Sequence, residues 1–173
     1  MPDNPSWPVV YKEKLLVSNL ESSLAVCCLW TKQDIARARI PLEKINLLGN
    51  LYSAGPGIEG IVRNVLANPR IRTIVLTGAD VTKTGNALLA FSRTGVTKDD
   101  DLGWIAPLPE GVDSRDLLPG ERRIDGAITL AAINLFRDSV EINDFRGNNR
   151  WQDERDKIKK YENKLSFLES PLS

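Results

Sequence analysis

The chain has 173 residues, of which 42% are hydrophobic and 27% charged, and its 23 basic residues match 23 acidic ones. These values are ordinary for one water-soluble domain with a sizeable core. The balanced charge provides no field that attracts nucleic acid or an anionic membrane. No apolar run approaches the roughly 20 residues that cross a bilayer, and the first residues do not resemble a secretory signal. We therefore expect no nucleic-acid partner and no membrane span.

Histidine is absent from the chain. Its absence excludes nucleophiles activated by histidine, zinc held by histidine, and an imidazole ligand to cobalt or haem. The only cysteines, Cys27 and Cys28, are adjacent in an apolar run, so in a strand they point to opposite faces. We expect two buried thiols in a cytoplasmic protein, with a vicinal redox pair as the alternative. A magnesium site held by carboxylates stays open, but no spacing of acidic residues indicates one, and we predict no metal site.

Residues 1–149 show the alternation of an α/β domain. Residues 1–23 form a lead marked by prolines, whose aromatic residues lie on the body as an extended arm. Apolar runs then predict a mainly parallel sheet, and helical stripes predict three covering helices in a three-layer fold. The strands are expected at 24–30, 45–51, 71–77 and 139–144, and the helices at 57–67, 84–93 and 126–137. Five residues are expected in the core: Ile61, Val65, Leu76, Leu88 and Leu135.

Two regions depart from this alternation. Residues 97–123 combine a charge run with prolines and glycines, which predicts a long loop or flap. Residues 150–173 are dense in both charge signs, and at 150–168 their large apolar residues form a narrow seam. This pattern predicts a charged helical extension. The seam either docks on the body or pairs with a second copy, and two heptads are short for a coiled coil.

Two turns of small residues follow the second and third predicted strands. The first turn contributes Ser53, Ala54, Gly55 and Gly57. The second contributes Gly78, Asp80, Thr82, Lys83, Thr84, Gly85 and Asn86. Open α/β folds bind ligands at the carboxyl ends of their strands, and helix starts suit anionic groups. We predict a ligand crevice between the two turns, residues 53–57 and 79–86. The alternative is structural: Asp80 ends the strand, Thr84 caps the helix and Lys83 is solvated.

Several phrases between residues 47 and 91 carry a family resemblance. They are a helix entered through a small-residue loop, the phrase NVLANPRIR, a strand ending in GADV, and TGNAL at the next helix start. The stretch resembles the soluble domain of the A subunit of tetrahydromethanopterin S-methyltransferase. It is similar, more closely, to an uncharacterised domain found in pterin-linked and thymidylate-synthase-associated proteins. The similarity continues weakly to residue 145.

The resemblance implies a single Rossmann-like domain that carries a corrinoid in the methyltransferase branch. In that branch a histidine before the TG pair supplies the lower ligand to cobalt. Thr82-Lys83 stands in its place here, and the polar residues at the end do not match the branch's C-terminal membrane helix. The implied function is a non-catalytic or accessory ligand-binding domain of one-carbon metabolism. Its ligand would be a corrinoid or a pterin, bound without a histidine ligand to cobalt.

Two other functions stay open. An assembly domain without a small ligand would bind a larger one-carbon enzyme, or a second copy through 150–168. A methyltransferase-type enzyme would use Asp80, Lys83 or Asp144 as an acid, a base or an electrostatic group. No constellation has a diagnostic spacing, so we assign no catalytic residue.

Overall fold

A computed structural model describes residues 6–100, 103–117 and 119–146. The predicted extension at 150–173, with its seam at 150–168, lies outside these ranges, and its separation from a domain at 1–149 stays a prediction. No helix within the described ranges is both long enough and apolar enough to cross a membrane. The cytoplasmic location also stays a prediction.

Eight strands and four α-helices alternate along most of the described chain. Strands β1 to β8 span Leu16–Val17, Leu24–Cys27, Leu47–Gly49, Thr73–Leu76, Thr97–Asp99, Gly103–Ile105, Arg123–Asp125 and Glu141–Asp144. Helices α1 to α4 span Gln33–Arg37, Pro56–Leu66, Thr84–Thr94 and Leu130–Ser139. The central sheet has the order β1-β3-β2-β4-β8, in which only β1 is antiparallel to its neighbour. The predicted α/β class with a mainly parallel sheet is confirmed.

Strand β2 lies between β3 and β4. Its residue Ala25 faces Leu47 of β3 on one side and Ile74 of β4 on the other. Strands β3 and β4, which precede the two turns of the predicted crevice, are therefore not neighbours in the sheet. The chain leaves β2 through α1 in one direction and returns from β3 through α2 to β4 in the other. The winding reverses between β2 and β4, and open α/β sheets bind ligands at such a reversal.

The three long helices cover the same face of the sheet. Helices α2, α3 and α4 share one buried cluster with Cys27. The opposite face carries Cys28 and is covered by the short helix α1 and the chain around Ile40 and Ile45. Each cysteine thus points to its own face, as predicted. Burial raises the pKa of both thiols to about 12, so neither is a thiolate at neutral pH.

The predicted core is mostly confirmed. Val65, Leu76 and Leu88 are buried, and Ile61 is partly buried against the same cluster. Leu135 is 57% exposed, so its assignment to the core is wrong.

The error at Leu135 follows from the start of helix α4. The helix begins at Leu130 rather than at 126, because the Thr129 side chain accepts a hydrogen bond from the Ala132 amide. Ile133 and Phe136 then take the buried face.

The predicted loop at 97–123 contains a second sheet. Strands β5, β6 and β7 pair antiparallel, with Trp104 between Lys98 and Ile124. The indole of Trp104 donates to the Ile128 carbonyl at 2.8 Å, and Ile124 is fully buried. The loop prediction is wrong because three-residue strands are too short to show an alternating pattern.

The predicted N-terminal arm lies on helix α2. The Asn64 side chain accepts from the Val9 and Val10 amides and donates to the Val10 carbonyl. The Trp7 indole donates to the Asn64 carbonyl at 2.9 Å. Buried Asn64 therefore fixes the arm against the domain.

Candidate functional site

Hydrogen bonds join the turn after β2 to the turn after β4. The Trp30 amide donates to the Ala79 carbonyl at 3.0 Å, and the Ala79 amide donates to Thr31 Oγ1 at 3.0 Å. The Trp30 indole donates to Thr82 Oγ1 at 2.9 Å. These bonds close the crevice at the winding reversal. A ligand at this edge of the sheet would therefore lie over the turns rather than between them.

Gly78 allows the two turns to approach. Its φ is +86°, and a Cβ at this position would lie 2.3 Å from the Cys28 carbonyl oxygen. A side chain would force the turns apart. Gly78 therefore has a structural reason to be glycine.

An exposed apolar surface lies on top of these turns. Trp30, Tyr52 and Val81 are 37%, 52% and 66% exposed. The rings of Trp30 and Tyr52 meet edge to face, with centroids 4.9 Å apart. Thr82 and exposed Lys83 continue the surface at its end. We call these five residues the edge platform. Aromatic faces of this kind stack on flat conjugated rings, and the lysine can meet a negative group.

The first predicted turn is largely occupied by its own contacts. Ser53 Oγ accepts from the Gly57 amide at 3.0 Å, and the Gly55 amide donates to the Glu121 carbonyl at 2.8 Å. A Cβ on Gly55 would lie 2.5 Å from the Arg123 carbonyl oxygen. Ala54 is buried in the core. The Gly55 and Gly57 amides, which the sequence predicts as donors to an anion, therefore already have hydrogen-bond partners within the protein.

The second turn is held by Arg146, a residue that no sequence motif marks. Asp80 Oδ1 accepts from the Gly85 amide at 3.0 Å, and Asp80 Oδ2 lies 2.7 Å from an Arg146 nitrogen. Arg146 also donates to Asn86 Oδ1 and to both carboxylate oxygens of Asp144. We call these residues the Arg146 cluster. Asp80 therefore anchors the start of α3, and the Asp80 and Arg146 side chains are only 10% and 18% exposed.

The Arg146 cluster stabilises charged groups. The hydrogen bond from Arg146 holds the pKa of Asp144 below the usual range, despite partial burial. The same bond to Asp144 raises the pKa of Arg146. Both groups therefore stay ionised at neutral pH and form a fixed electrostatic support beneath the turn.

Thr84 connects the start of α3 to the loop between β3 and α2. Its buried hydroxyl donates to the Leu51 carbonyl at 2.7 Å. The predicted cap at Thr84 is wrong, because the capping position falls on Lys83, whose side chain makes no capping bond.

Asn86 donates to the Glu110 carbonyl at 3.0 Å. Of the predicted second turn, Thr82 and Lys83 therefore face outward, and both belong to the edge platform.

A separate cavity lies between α2 and the sheet. Its volume is about 570 Å³, and Ser53 and Gly57 line it. Residues 79–86 do not line it. Of the predicted crevice, only residues of the first turn therefore line this cavity. We call this space the α2 cavity.

The residues at the edge do not fit a corrinoid that is held through a protein ligand. The chain has no histidine, and the Lys83 ammonium has no lone pair to donate. Cys28 is buried, and its Sγ donates to the Thr31 carbonyl. Within the described ranges, no group of three or more histidine, cysteine or acidic residues could hold a metal ion. A corrinoid here would have to bind through its ring alone.

The family model for the A subunit of tetrahydromethanopterin S-methyltransferase matches residues 2–110. The chain belongs to this family. The A subunit of Methanopyrus kandleri is 31% identical over 138 residues, which cover 78% of this chain and 50% of the relative. The A subunit numbered 2 of Methanothermobacter marburgensis is 29% identical over 80% of this chain and 67% of the relative. The A subunit of Methanococcus maripaludis is 34% identical over 54% of this chain and 38% of the relative.

The family match confirms the resemblance to the A subunit of the methyltransferase. The closer similarity to an uncharacterised domain of pterin-linked and thymidylate-synthase-associated proteins finds no support in these comparisons. The chain spans half the length of the Methanopyrus relative. The part of the chain that matches the family contains β2, β4 and the complete edge platform.

Proposed function

We propose that this protein is an accessory, ligand-holding component of methyl transfer in one-carbon metabolism. Its ligand lies on the edge platform and is a flat conjugated ring, either a corrinoid or a pterin. The protein supplies no axial ligand to cobalt. The relatives are named as subunits of a tetrahydromethanopterin S-methyltransferase, so we propose that this chain also works with a larger one-carbon enzyme.

One observation supports this proposal most strongly. The exposed Trp30–Tyr52 pair stands beside the winding reversal between β2 and β4, where open α/β sheets bind ligands. The strand order and the helices that cover the sheet also favour a Rossmann-like domain. Exposed tryptophan is unusual on a surface with no binding role, because its large ring prefers to be buried.

The fixed geometry of the platform supports a binding role over a catalytic one. Thr82 positions the Trp30 ring, and the Arg146 cluster holds the turn beneath. The ionised groups of that cluster are paired with each other and are mostly shielded from the platform. In the part of the chain that the structure describes, no exposed side chain at the platform has a neighbouring acid or base of the kind that catalysis needs.

Binding measurements test this proposal. Isothermal titration calorimetry with aquacobalamin and with a reduced pterin should show saturable binding of one of them to the wild-type protein. Trp30→Ala should weaken that binding about fivefold or more, since stacking of a ring on an aromatic side chain is worth about 1–3 kcal/mol. Leu135→Ala removes another exposed apolar side chain, on α4, and should change nothing.

The measurements also separate the alternative. If neither compound binds the wild-type protein at millimolar concentration, the ligand proposal is wrong. The exposed platform would then favour the assembly function, in which a protein surface covers Trp30 and Tyr52.

A further inference from the structure

The α2 cavity has the size and lining of a small-molecule site. Its volume of about 570 Å³ falls within the range of about 300–1,000 Å³ that such sites occupy. A single water fills only about 30 Å³, and protein interiors contain few voids larger than one water. Buried apolar residues of three strands and of α2 form its depth: Ala25, Leu47, Ile74 and Val65. The space opens to solvent at one end and is large enough to hold a small molecule.

The walls of the α2 cavity are fixed before any ligand arrives. The Gln33 side chain donates to the Lys14 carbonyl at 2.6 Å and to Asn50 Oδ1 at 3.0 Å. These bonds hold the short turn at Lys12–Lys14 over the cavity from the side of α1. Gly60 receives the ring of Tyr11, because a Cβ at Gly60 would lie 2.5 Å from Tyr11 Cε2. The site is thus preorganised, which lowers the entropy lost on binding.

The mouth of the α2 cavity is polar and balanced in charge. Glu13, Lys14 and Tyr52 line the cavity and are exposed, so they stand where it meets solvent. The Lys14 ammonium lies 5.9 Å from the Tyr11 ring centroid. In the part of the chain that the structure describes, the Glu13 carboxylate and the Tyr52 hydroxyl have no hydrogen-bond or ion-pair partner. The mouth thus offers one cation, one anion and one neutral hydroxyl to a ligand.

We propose that the α2 cavity binds a free apolar α-amino acid. The apolar side chain of the ligand enters the space over Ala25 and Ile74. Its carboxylate meets the Lys14 ammonium and its ammonium meets the Glu13 carboxylate. A simple carboxylate or a simple amine would fit less well, because each would approach one residue of its own charge sign. Of the edge platform only Tyr52 lines the cavity, and Trp30, Val81, Thr82 and Lys83 do not.

Calorimetry with two amino acids tests the proposal on the full chain. L-leucine and L-phenylalanine are the probes, and N-acetyl-leucine and leucinamide are their comparisons with one charge removed. We expect saturable binding of at least one probe. Each comparison compound should bind about tenfold or more weakly, because each lacks one of the two charged groups that meet Lys14 and Glu13. Absence of saturable binding of both probes at about 10 mM, on the order of the weakest specific affinities, overturns the proposal.

Exposed variants locate the bound amino acid. Lys14→Met and Glu13→Gln should each weaken binding of the probe about tenfold or more. Lys12→Met is the matched control, since Lys12 lies in the same turn, is exposed and does not line the cavity. An equal loss of binding affinity in the Lys12 and Lys14 variants would show that both act through the structure of the turn. It would contradict the proposed contact between Lys14 and the ligand.

A filled cavity provides an independent check. Ala25→Leu should abolish binding by occupying the floor of the cavity. Val81→Ala, an exposed substitution on the edge platform that does not line the cavity, should leave amino-acid binding unchanged. If the Ala25→Leu variant does not fold, the Lys14 and Glu13 variants decide the question alone. Loss of binding in Val81→Ala would move the ligand to the edge platform and contradict the proposal.

Discussion

The indole nitrogen of Trp30 donates a hydrogen bond of 2.9 Å to Oγ1 of Thr82, a residue 52 positions further along the chain. The bond crosses the point where the winding of the sheet reverses, between β2 and β4. It holds the Trp30 ring upright against Tyr52. The orientation of the Trp30 ring therefore depends on a side-chain contact between two turns.

The substitution Thr82→Val should release the Trp30 ring. Valine keeps the shape of threonine and removes only the acceptor, so the indole N–H of Trp30 should exchange with solvent faster. Hydrogen exchange of the indole groups, followed by nuclear magnetic resonance, measures this. Trp104 serves as an internal control, because its indole donates to the Ile128 carbonyl and should exchange at an unchanged rate. Unchanged exchange at Trp30 would contradict the contact.

The substitution Arg146→Met should destabilise the domain by about 1–3 kcal/mol, because it leaves a partly buried carboxylate on Asp80 without its charged partner. Urea denaturation measures the loss. Arg115→Met is the matched control, since Arg115 binds an aspartate two residues earlier in the same way but is highly exposed. That variant should unfold like the wild type. Equal losses in both variants would mean that the Arg146 cluster adds nothing beyond a surface ion pair.

Acid should weaken the domain partly through Asp144. Its pKa in the folded protein lies below its usual value, chiefly because of the hydrogen bond from Arg146. The unfolded chain therefore takes up the proton first, at a pKa near about 3.9. The stability that Asp144 contributes is complete well above that pH and is lost as the pH falls through the folded pKa.

Denaturation between about pH 6 and pH 3, spanning the aspartate reference pKa of about 3.9, measures this contribution. Asp144→Asn should lose less stability across that range than the wild type does. Asp138→Asn, on the exposed side of α4, should follow the wild-type curve. If the free energy of unfolding of Asp144→Asn falls with pH in parallel with that of the wild type, Arg146 does not stabilise the ionised form of Asp144.

Two leucines in different helices should respond differently to truncation. Leu88 is fully buried in α3, so Leu88→Ala should lower the free energy of unfolding by about 2–5 kcal/mol. Leu135 is exposed in α4, so Leu135→Ala should change it by about 0.5 kcal/mol or less. Chemical denaturation of both variants decides between the structure and the sequence pattern, which places both residues in the core. A large loss at Leu135 would mean that another surface covers α4.

The local elements can be predicted from the sequence because each leaves a periodic pattern. The apolar stripe of α2 and the β-branched run of β4 predict these elements at nearly their observed positions. The predicted stripe of α4 begins at Ile128, which lies before the first helical residue, Leu130. A residue outside the helix does not mark its buried face, and Ile133 and Phe136 mark that face instead.

The site is less predictable because it depends on which strands are neighbours. The apolar pattern of the sequence does not show that β2 lies between β3 and β4. It therefore predicts that Trp30 ends a strand, but not that Trp30 is part of an exposed platform. Arg146 carries no motif, and only the position of β8 beside β4 brings it to Asp80. The one signal in the sequence is a large aromatic ring directly after an apolar strand.

Electron paramagnetic resonance of cob(II)alamin bound to the protein shows whether the chain supplies a ligand to cobalt. The chain has no histidine, and its cysteines are buried. We therefore predict that complexes with ¹⁴N protein and with uniformly ¹⁵N-labelled protein give identical spectra. In that case cobalt keeps its own base, takes water, or has no lower ligand. A superhyperfine pattern that changes with the isotope of the protein would show a protein nitrogen on cobalt, with Lys83 the nearest source at the turn, and would overturn the proposed mode of binding.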